Sequence, residues 1–504
     1  MLQPTETRMQ AIASWFKESF FIKRFNSPVG KVIMALLGIA VAFLTVKINK
    51  VIPIGIAGLL GGILFVVACL RFPEFAYYSY AFSIFFFTLL VRLFNLPVPL
   101  GISVEGIGLL AAASVFAEQF RKRAEFVSFW KSPISLMVLV MFIYTLLELF
   151  NPEAHRITAW FNYFRKQIVF LIYFQMSYFV LDSMDRIRRF VKMWIYVSLV
   201  ACAWGIKQQY IGFSFYEELW INSDPRITEL LFQGGMFRKF SLLSDPAAYG
   251  VLTASSTVFT LVLAMREPDK KKKRNLFILT IIQFLAFGYS GTRTGNLMII
   301  AGLLMYFFLT ITEKNTLRLI MIAVFAFIFL FFGPMKNSPV ILRMKSTFEG
   351  TKDPSAAVRE YNRKRIQPFI HARPFGAGLN TVEMEGQQYY PNNPLAYFPP
   401  DSGYLKFLLQ YGWVGFALQM FLFFLVLQRG VYGFYTCKDP ELKTIYIAIT
   451  ICIFSLLVGH YSQLGIANYP QILFYYGALV ILIRLKDFDT IKPQTQNYAL
   501  EQQH

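Results

Sequence analysis

The residues able to do chemistry gather in a long polar stretch, from Gly333 to about Pro400, that interrupts an otherwise apolar chain. Nine Lys or Arg fall between Lys336 and Arg373, against Glu349, Asp353 and Glu360. After Arg373-Pro374-Phe375-Gly376-Ala377-Gly378 the sign of the charge changes, and Glu383, Glu385 and Asp401 follow. A basic half followed by an acidic half suits an anionic ligand held beside a proton acceptor. Arg359 and Arg363 are four apart and share a helix face, whether that face binds an anion or is merely solvated. Asp353-Pro354 has the form of a cap and first helical residue, opening a helix that Pro368 should end. Asp401, in Pro399-Pro400-Asp401-Ser402-Gly403, stands where a helix begins and its dipole stabilises a carboxylate. Such a group either caps the helix or takes the proton from an attacking hydroxyl.

Two shorter stretches carry the same chemistry. In Gly288-Tyr289-Ser290-Gly291-Thr292-Arg293-Thr294-Gly295-Asn296, two apolar runs meet in a Gly/Ser/Thr turn. The backbone N–H groups opening the second run favour an anion, and the planar fork of Arg293 matches phosphate oxygens, so a diphosphate cradle fits here. An arginine snorkelling to lipid headgroups is the plainer account. Upstream lies Arg238-Lys239-Phe240-Ser241-Leu242-Leu243-Ser244-Asp245-Pro246. Helix capping suffices for Asp245 but does not explain Arg238.

The elements that must position these residues are membrane spans. Of 504 residues, 56% are hydrophobic and only 15% charged, where a soluble domain carries roughly 25%. Apolar runs of about 17 to 25 residues, the length that crosses a bilayer as a helix, recur throughout. Helices are expected near 31–46, 51–70, 75–91, 98–117, 132–150, 164–181, 190–211, 243–265, 276–289, 294–312, 317–333, 403–427, 443–461 and 469–484, so 12 to 14 spans. Apart from Glu105 and Lys207 these runs are almost free of charge. Residues 1–30, with Lys17, Glu18, Lys23 and Arg24 among Trp15, Phe16, Phe20 and Phe21, fit an interfacial amphipathic helix better than a secretory signal. Cys69, Cys202, Cys437 and Cys452 have no paired spacing, and the four histidines form no ligand cluster, so neither disulfides nor a metal site is expected.

The net charge of +20 does not indicate nucleic acid, because the basic residues sit in short loops between spans. Lys131 and its neighbours Arg121 to Arg123, then Arg186, Arg188 and Arg189, then Lys270 to Arg274, then Arg429, Lys438 and Lys443 all fall on one side, which should be cytoplasmic. The segments 212–242, 290–293 and 334–402 fall on the other side. The chain thus divides into a cytoplasmic amphipathic N-terminus (1–30), N-terminal spans (31–211), a core with outward arginine turns (212–333), an extracytoplasmic loop (334–402), C-terminal spans (403–484) and a cytoplasmic tail (485–504).

Over roughly residues 190 to 430 the chain resembles the O-antigen ligase and polysaccharide polymerase superfamily of bacterial membrane glycosyltransferases. Arg238 with Asp245-Pro246 is similar to that family's Arg before an Asn/Asp-Pro helix start. Ser290-Gly291-Thr292-Arg293-Thr294-Gly295 resembles its Ser-x-Ser-Arg-x-Gly turn. Arg359 followed by Pro374, Gly376 and Gly378 resembles its loop signature of an Arg and then Pro-x-x-Gly-x-Gly. Asp401-Ser402-Gly403-Tyr404-Leu405 with Gly412 and Gly415 falls where the family has His-Asn-x-Tyr-Leu and Gly-x-x-Gly. Asp401 replaces the His of ligase members, as in polymerase members, and Ser241 and Ala247 replace a common Gly and Asn.

The resemblance implies an all-α, GT-C-like polytopic membrane protein of the bacterial inner membrane, with its active site on the periplasmic face. It implies transfer of a glycan from a polyprenyl diphosphate to a sugar or lipid-linked glycan acceptor. Arg238, Arg293, Arg359, Arg363 and Arg373 would hold the diphosphate, Asp401 and Arg293 would be catalytic, and no metal or cofactor would be required. Tyr389, Tyr390, Tyr397 and Phe398 offer faces on which sugars could stack. The rival expectation is a transporter or flippase of lipid-linked oligosaccharide, which would need charges along a transmembrane path.

Overall fold

The computed structural model describes residues 27–32, 51–94, 100–119, 123–233, 235–334, 337–338, 341–342, 345, 354–400 and 402–489. Asp353, Asp401, nearly all of the expected 31–46 span, most of the 1–30 segment and the tail from 490 lie outside the described residues. The chain divides into two compact units, 1–71 and 72–504. The first contributes helix α1 (Val51–Arg71), apolar until its last residue.

The second unit is a helical bundle. Its long helices are α2 (Pro73–Phe94), α3 (Leu100–Gln119), α4 (Pro133–Leu147), α5 (Ile157–Val180), α6 (Met184–Tyr210), α7 (Pro246–Arg266), α8 (Lys270–Ser290), α9 (Arg293–Leu309) and α10 (Lys314–Phe332). The loop helix α11 (Pro354–His371) follows, then α12 (Gly403–Thr436), α13 (Pro440–His460) and α14 (Gln471–Asp489). Among the described residues, six stretches are long and apolar enough to cross a membrane, those at Pro73–Arg92, Pro133–Phe150, Met184–Tyr210, Pro246–Arg266, Gly403–Thr436 and Pro440–His460. The protein is an all-α, multi-pass membrane protein.

Local rules set many of the helix starts. The Asp245 carboxylate accepts from the Ala247 and Ala248 N–H groups, Asp269 from Lys271 and Lys272, and Asp439 from Glu441 and Leu442. Each satisfies donors that a helix cannot pair internally. Burial then ranks the spans. In α7 and α13, 83% and 78% of the apolar window is buried, against 28% in α12, so the first two are inner helices and α12 presents most of its surface outward.

Contacts between helix ends sort the loops into two sets. At one end Arg188 Nε meets Glu441 Oε1 at 2.6 Å, Arg266 NH1 meets Glu313 at 3.0 Å, and the Cys437 thiol lies 3.2 Å from Asp489. This is the basic end, and it also holds Lys131 and Lys270 to Arg274. At the other end the Lys239 N–H donates to the Tyr289 carbonyl (3.0 Å), and the Gly403 N–H to Gln463 (3.3 Å). This is the loop end. Every segment singled out above for its chemistry and described by the structure lies here.

The structure departs from expectation at four points. Helix α5 begins at Ile157 rather than 164. Helix α12 runs on to Thr436. Pro368 does not end its helix, which continues to His371, because a proline in the last turn forfeits only one bond. A two-stranded hairpin also forms, pairing Phe232 with Phe237 and Gln233 with Met236.

Candidate active site

Arg238 follows that hairpin, its N–H donating to the Leu231 carbonyl at 2.8 Å. Its guanidinium reaches the turn between α8 and α9. Nε donates to the Ser290 carbonyl (3.0 Å) and an NH2 hydrogen to Thr292 Oγ1 (3.1 Å). Gly291 (φ 59°, ψ 24°) takes the left-handed conformation that closes α8, which glycine adopts without strain. Thr292 donates to the Pro246 carbonyl (2.8 Å), and Arg293, half-buried, is the first residue of α9. Arg238 and Arg293, 55 residues apart in sequence, therefore share one turn.

Buried polar bonds hold the segment carrying Arg238. Arg92, at the end of α2, lies over the Trp220 and Phe240 rings at 4.3 and 4.4 Å and donates to the carbonyls of Leu243 and Ser244. Ser241 has φ 55°, the region glycine prefers, which accounts for a Gly in this place among the family members it resembles. Its serine is tolerated because Oγ donates to the Ala201 carbonyl (2.6 Å) and its N–H to Gln208 Oε1 (2.8 Å). Gln208 in turn donates to Glu217 (2.6 Å). Burial works against the Glu217 carboxylate, but hydrogen bonds from Ser214, Trp204 and Gln208 outweigh it and hold the pKa below the ordinary range. Lys239 is buried over the Phe213 ring at 4.7 Å, and desolvation pulls its pKa down.

A second turn, just past α13, gathers the remaining parts. Thr294, beside Arg293, bonds Ser462 Oγ at 2.7 Å. Next to Ser462, Tyr461 receives Arg363 of the loop helix: NH1 donates to the hydroxyl (2.6 Å), NH2 to the carbonyl (3.1 Å), and the guanidinium lies 4.2 Å over the ring. Gly403, the first residue of α12, packs against the His460 imidazole, which also meets the Tyr404 ring edge-on at 4.8 Å. Ile466 donates its N–H to Nδ1 of His460 (3.4 Å). Arg238, Arg293, Arg363 and the start of α12 are thus linked through a chain of contacts that their sequence neighbours complete. His460, Tyr461 and Ser462 had not been identified from the sequence; the one available signal was a polar triplet closing an apolar run.

Other expected residues have different company. Arg373 pairs with Glu153 at 3.1 Å and lies 3.9 Å over Phe369. The backbone of Arg359 lies in α11. Glu383 and Glu385 both meet Lys406, at 2.5 and 3.8 Å. Phe398 is buried with Ile366, Ile370, Val382 and Leu409 in the loop's own core, so it offers no face to a sugar. Tyr389 accepts from Asn162 and Tyr390 from the Arg156 N–H, whereas Tyr397 is exposed.

The motif glycines of the loop serve the backbone. Gly412 (φ 65°, ψ −169°) breaks α12 and strands two carbonyls and two N–H groups. The stranded carbonyls of Leu409 and Gln410 accept from Ala377 (2.8 Å) and Gly378 (3.1 Å), while Trp413 (2.8 Å) and Val414 (3.4 Å) donate to Pro374. Gly376 and Gly378, at φ 76° and 88°, shape the strip that fits the break.

Beside Gly403 opens a cavity of about 450 Å³, within the range of small-ligand sites. Gly403, Lys406 and His460 form part of its wall, and across it Arg165 pairs with Glu105 at 3.1 Å. Gln167, Gln410 and Asn468 add amide groups. The site as a whole is a cationic turn next to a polar, partly aromatic cavity at one end of a membrane bundle, an arrangement suited to an anionic amphiphile with a polar head.

Residues 278–420 match the family model Wzy_C, described as O-antigen ligase. The match runs from α8 through the turn at Arg293, the loop and the start of α12, and supports the O-antigen ligase/polymerase superfamily. Over those residues the chain is similar to the O-antigen ligase/polymerase superfamily. A search of curated proteins found no match.

Proposed function

We propose that the protein transfers a glycan from a polyprenyl-diphosphate carrier to an acceptor sugar hydroxyl, at the extracytoplasmic face of the bacterial inner membrane. The reading rests foremost on Arg238 bound to the turn that starts α9 at Arg293. Two guanidinium groups at one helix N-terminus form a preorganised anion site. Arg363, fixed on Tyr461, and Arg359 on the same helix face extend it. Arg373, committed to Glu153, enters the site only if that pair opens.

In the proposed step the acceptor oxygen attacks the anomeric carbon from the face opposite the leaving group, so the configuration inverts. The new C–O bond forms as the bond to the diphosphate oxygen breaks, and that electron pair leaves with the diphosphate. Asp401 takes the acceptor proton. The fixed arginines stabilise the charge growing on the diphosphate, a role a divalent cation would otherwise fill. The cavity beside Gly403, with amides and aromatic rings in its wall, is suited to the acceptor sugar.

The test is loss of surface polysaccharide in Arg293→Ala and Asp401→Ala strains at wild-type membrane levels, with partial retention in Arg293→Lys. Removing one such donor costs about 10²–10³ in rate. Unchanged polysaccharide in both alanine strains sinks the proposal. In a deletion strain, single repeats on the final acceptor indicate a polymerase, and long chains left on the carrier indicate a ligase. Impermeant thiol labelling should reach Ser223→Cys in intact cells but Lys271→Cys only after permeabilisation, and the reverse pattern refutes the assigned face.

A further inference from the structure

At the basic end, remote from the proposed active site, a second cavity of about 430 Å³ opens where the start of α4 meets α12 and α14. Lys131, Arg429 and Lys486 line it together with the hydroxyls of Ser132 and Tyr432, and Asp487 is the one carboxylate in its wall. Arg429 is half-buried and anchored, Nε donating to the Leu482 carbonyl (3.2 Å) and NH2 lying 3.5 Å from the Tyr446 hydroxyl. Behind the wall Arg484 is buried, stacked 3.5 Å over Tyr178 and donating to the Tyr178 carbonyl. Arg484 meets Asp487 only loosely, at 3.9 Å. The Lys131 and Lys486 ammonium groups have no carboxylate partner among the described residues. Ser132 precedes Pro133 at the start of α4 and makes no capping bond, so that helix end adds positive potential to the same wall.

Four cations against one carboxylate define an anion site, and its surroundings point to the kind of anion. Ile134, Leu425 and Ile483 form the apolar part of the wall. From there a stripe at helical spacing, the exposed Phe421, Phe424 and Tyr432 with half-buried Leu425 and exposed Gln428 between them, runs along the outward face of α12. An apolar track leading out of a basic cavity matches a molecule with a phosphate head and hydrocarbon tails. We propose that this cavity binds the phosphate headgroup of an anionic phospholipid, with its acyl chains lying along α12. The proposal is independent of the transfer chemistry at the other end.

The test uses purified full-length protein in a neutral detergent, titrated with phosphatidylglycerol and followed by native mass spectrometry and thermal unfolding at low salt. Phosphatidylglycerol should be retained and raise the Tm, while phosphatidylcholine at equal concentration should not. The double variant Lys131→Ala/Lys486→Ala should unfold as wild type without lipid and retain phosphatidylglycerol about tenfold less well. Equal retention by wild type and variant overturns the site. Equal retention of phosphatidylcholine, or an equal Tm rise with inorganic phosphate alone, overturns the assignment to an anionic lipid.

Discussion

Replacing Gly412 by alanine tests how the loop is attached to the bundle. The residue sits at φ 65°, ψ −169°, a region essentially reserved for glycine, and a side chain there costs about 1–3 kcal/mol. An added Cβ would also meet backbone atoms of Pro374, Phe375 and Gly376, which cannot rotate away as a side chain would. One relief is open to the chain. If α12 straightens, Trp413 and Val414 recover their helical partners Leu409 and Gln410, and the loop strip 374–378 loses its four bonds to the break. Four bonds are lost and two regained, so at about 1 kcal/mol net for each bond detachment costs about 2 kcal/mol, within the range of the strain. The two states then approach equal population. The variant should keep its spans folded yet show roughly a thirtyfold increase in loop opening, the equivalent of about 2 kcal/mol. Limited proteolysis of the 379–393 segment reads this directly, with surface polysaccharide as the functional readout. Gly106→Ala, whose Cβ meets nothing within 4 Å, is the control and should behave as wild type. Equal protease resistance and equal polysaccharide in Gly412→Ala and Gly106→Ala would refute the clasp.

Arg238→Ala should lower transfer about a hundredfold, and Arg238→Lys should recover only part of it, because a lysine cannot span Ser290 and Thr292 as the planar fork does; in vitro transfer rates check this. Ser241→Gly exchanges a strained serine and its bond to Ala201 for an unstrained glycine and should change stability by less than about 1 kcal/mol, whereas Ser241→Val should cost about 2 kcal/mol or more in denaturant unfolding. Lys239 has a depressed pKa in the folded state, so the unfolded chain binds its proton more tightly and stability should rise with pH through the alkaline range below the ordinary lysine value. That part of the rise should be missing from Lys239→Met, as comparison of thermal unfolding of the two proteins against pH will show.

Much of the bundle was legible from apolar run length alone. Helices at 440–460 and 184–210 were expected at 443–461 and 190–211, because a bilayer sets the length and leaves little else to decide. What run length does not explain is charge inside a helix. Arg165 and Lys166 fall within the expected 164–181 helix, and only the structure shows that Glu105 on α3 pairs with Arg165 beside the cavity. Lys406 is similar: one turn into α12, it is held by Glu383 and Glu385, which look like surface charge until their partner is known.

The site was legible in its motifs and not in what the motifs do. The Gly-Thr-Arg turn and Arg238 could be recognised separately, but the two bonds that join them span more than fifty residues and leave no local signature. The Pro374–Gly378 strip resembles a family loop signature that follows basic residues. Its glycines are required by the broken helix at Gly412, so the sequence pattern reflects backbone geometry that positions the site at one remove from the chemistry. The turn at His460, Tyr461 and Ser462 is the clearest case. Its three residues contact Gly403, Arg363 and Thr294, drawn from α12, the loop helix and α9, and each is unremarkable alone at the end of an apolar run. If this turn sets the spacing between the arginines and the start of α12, then Ser462→Ala and Tyr461→Phe act on geometry rather than charge. Each should lower transfer several-fold without changing its salt dependence, whereas loss of Arg363, a charge, should change both.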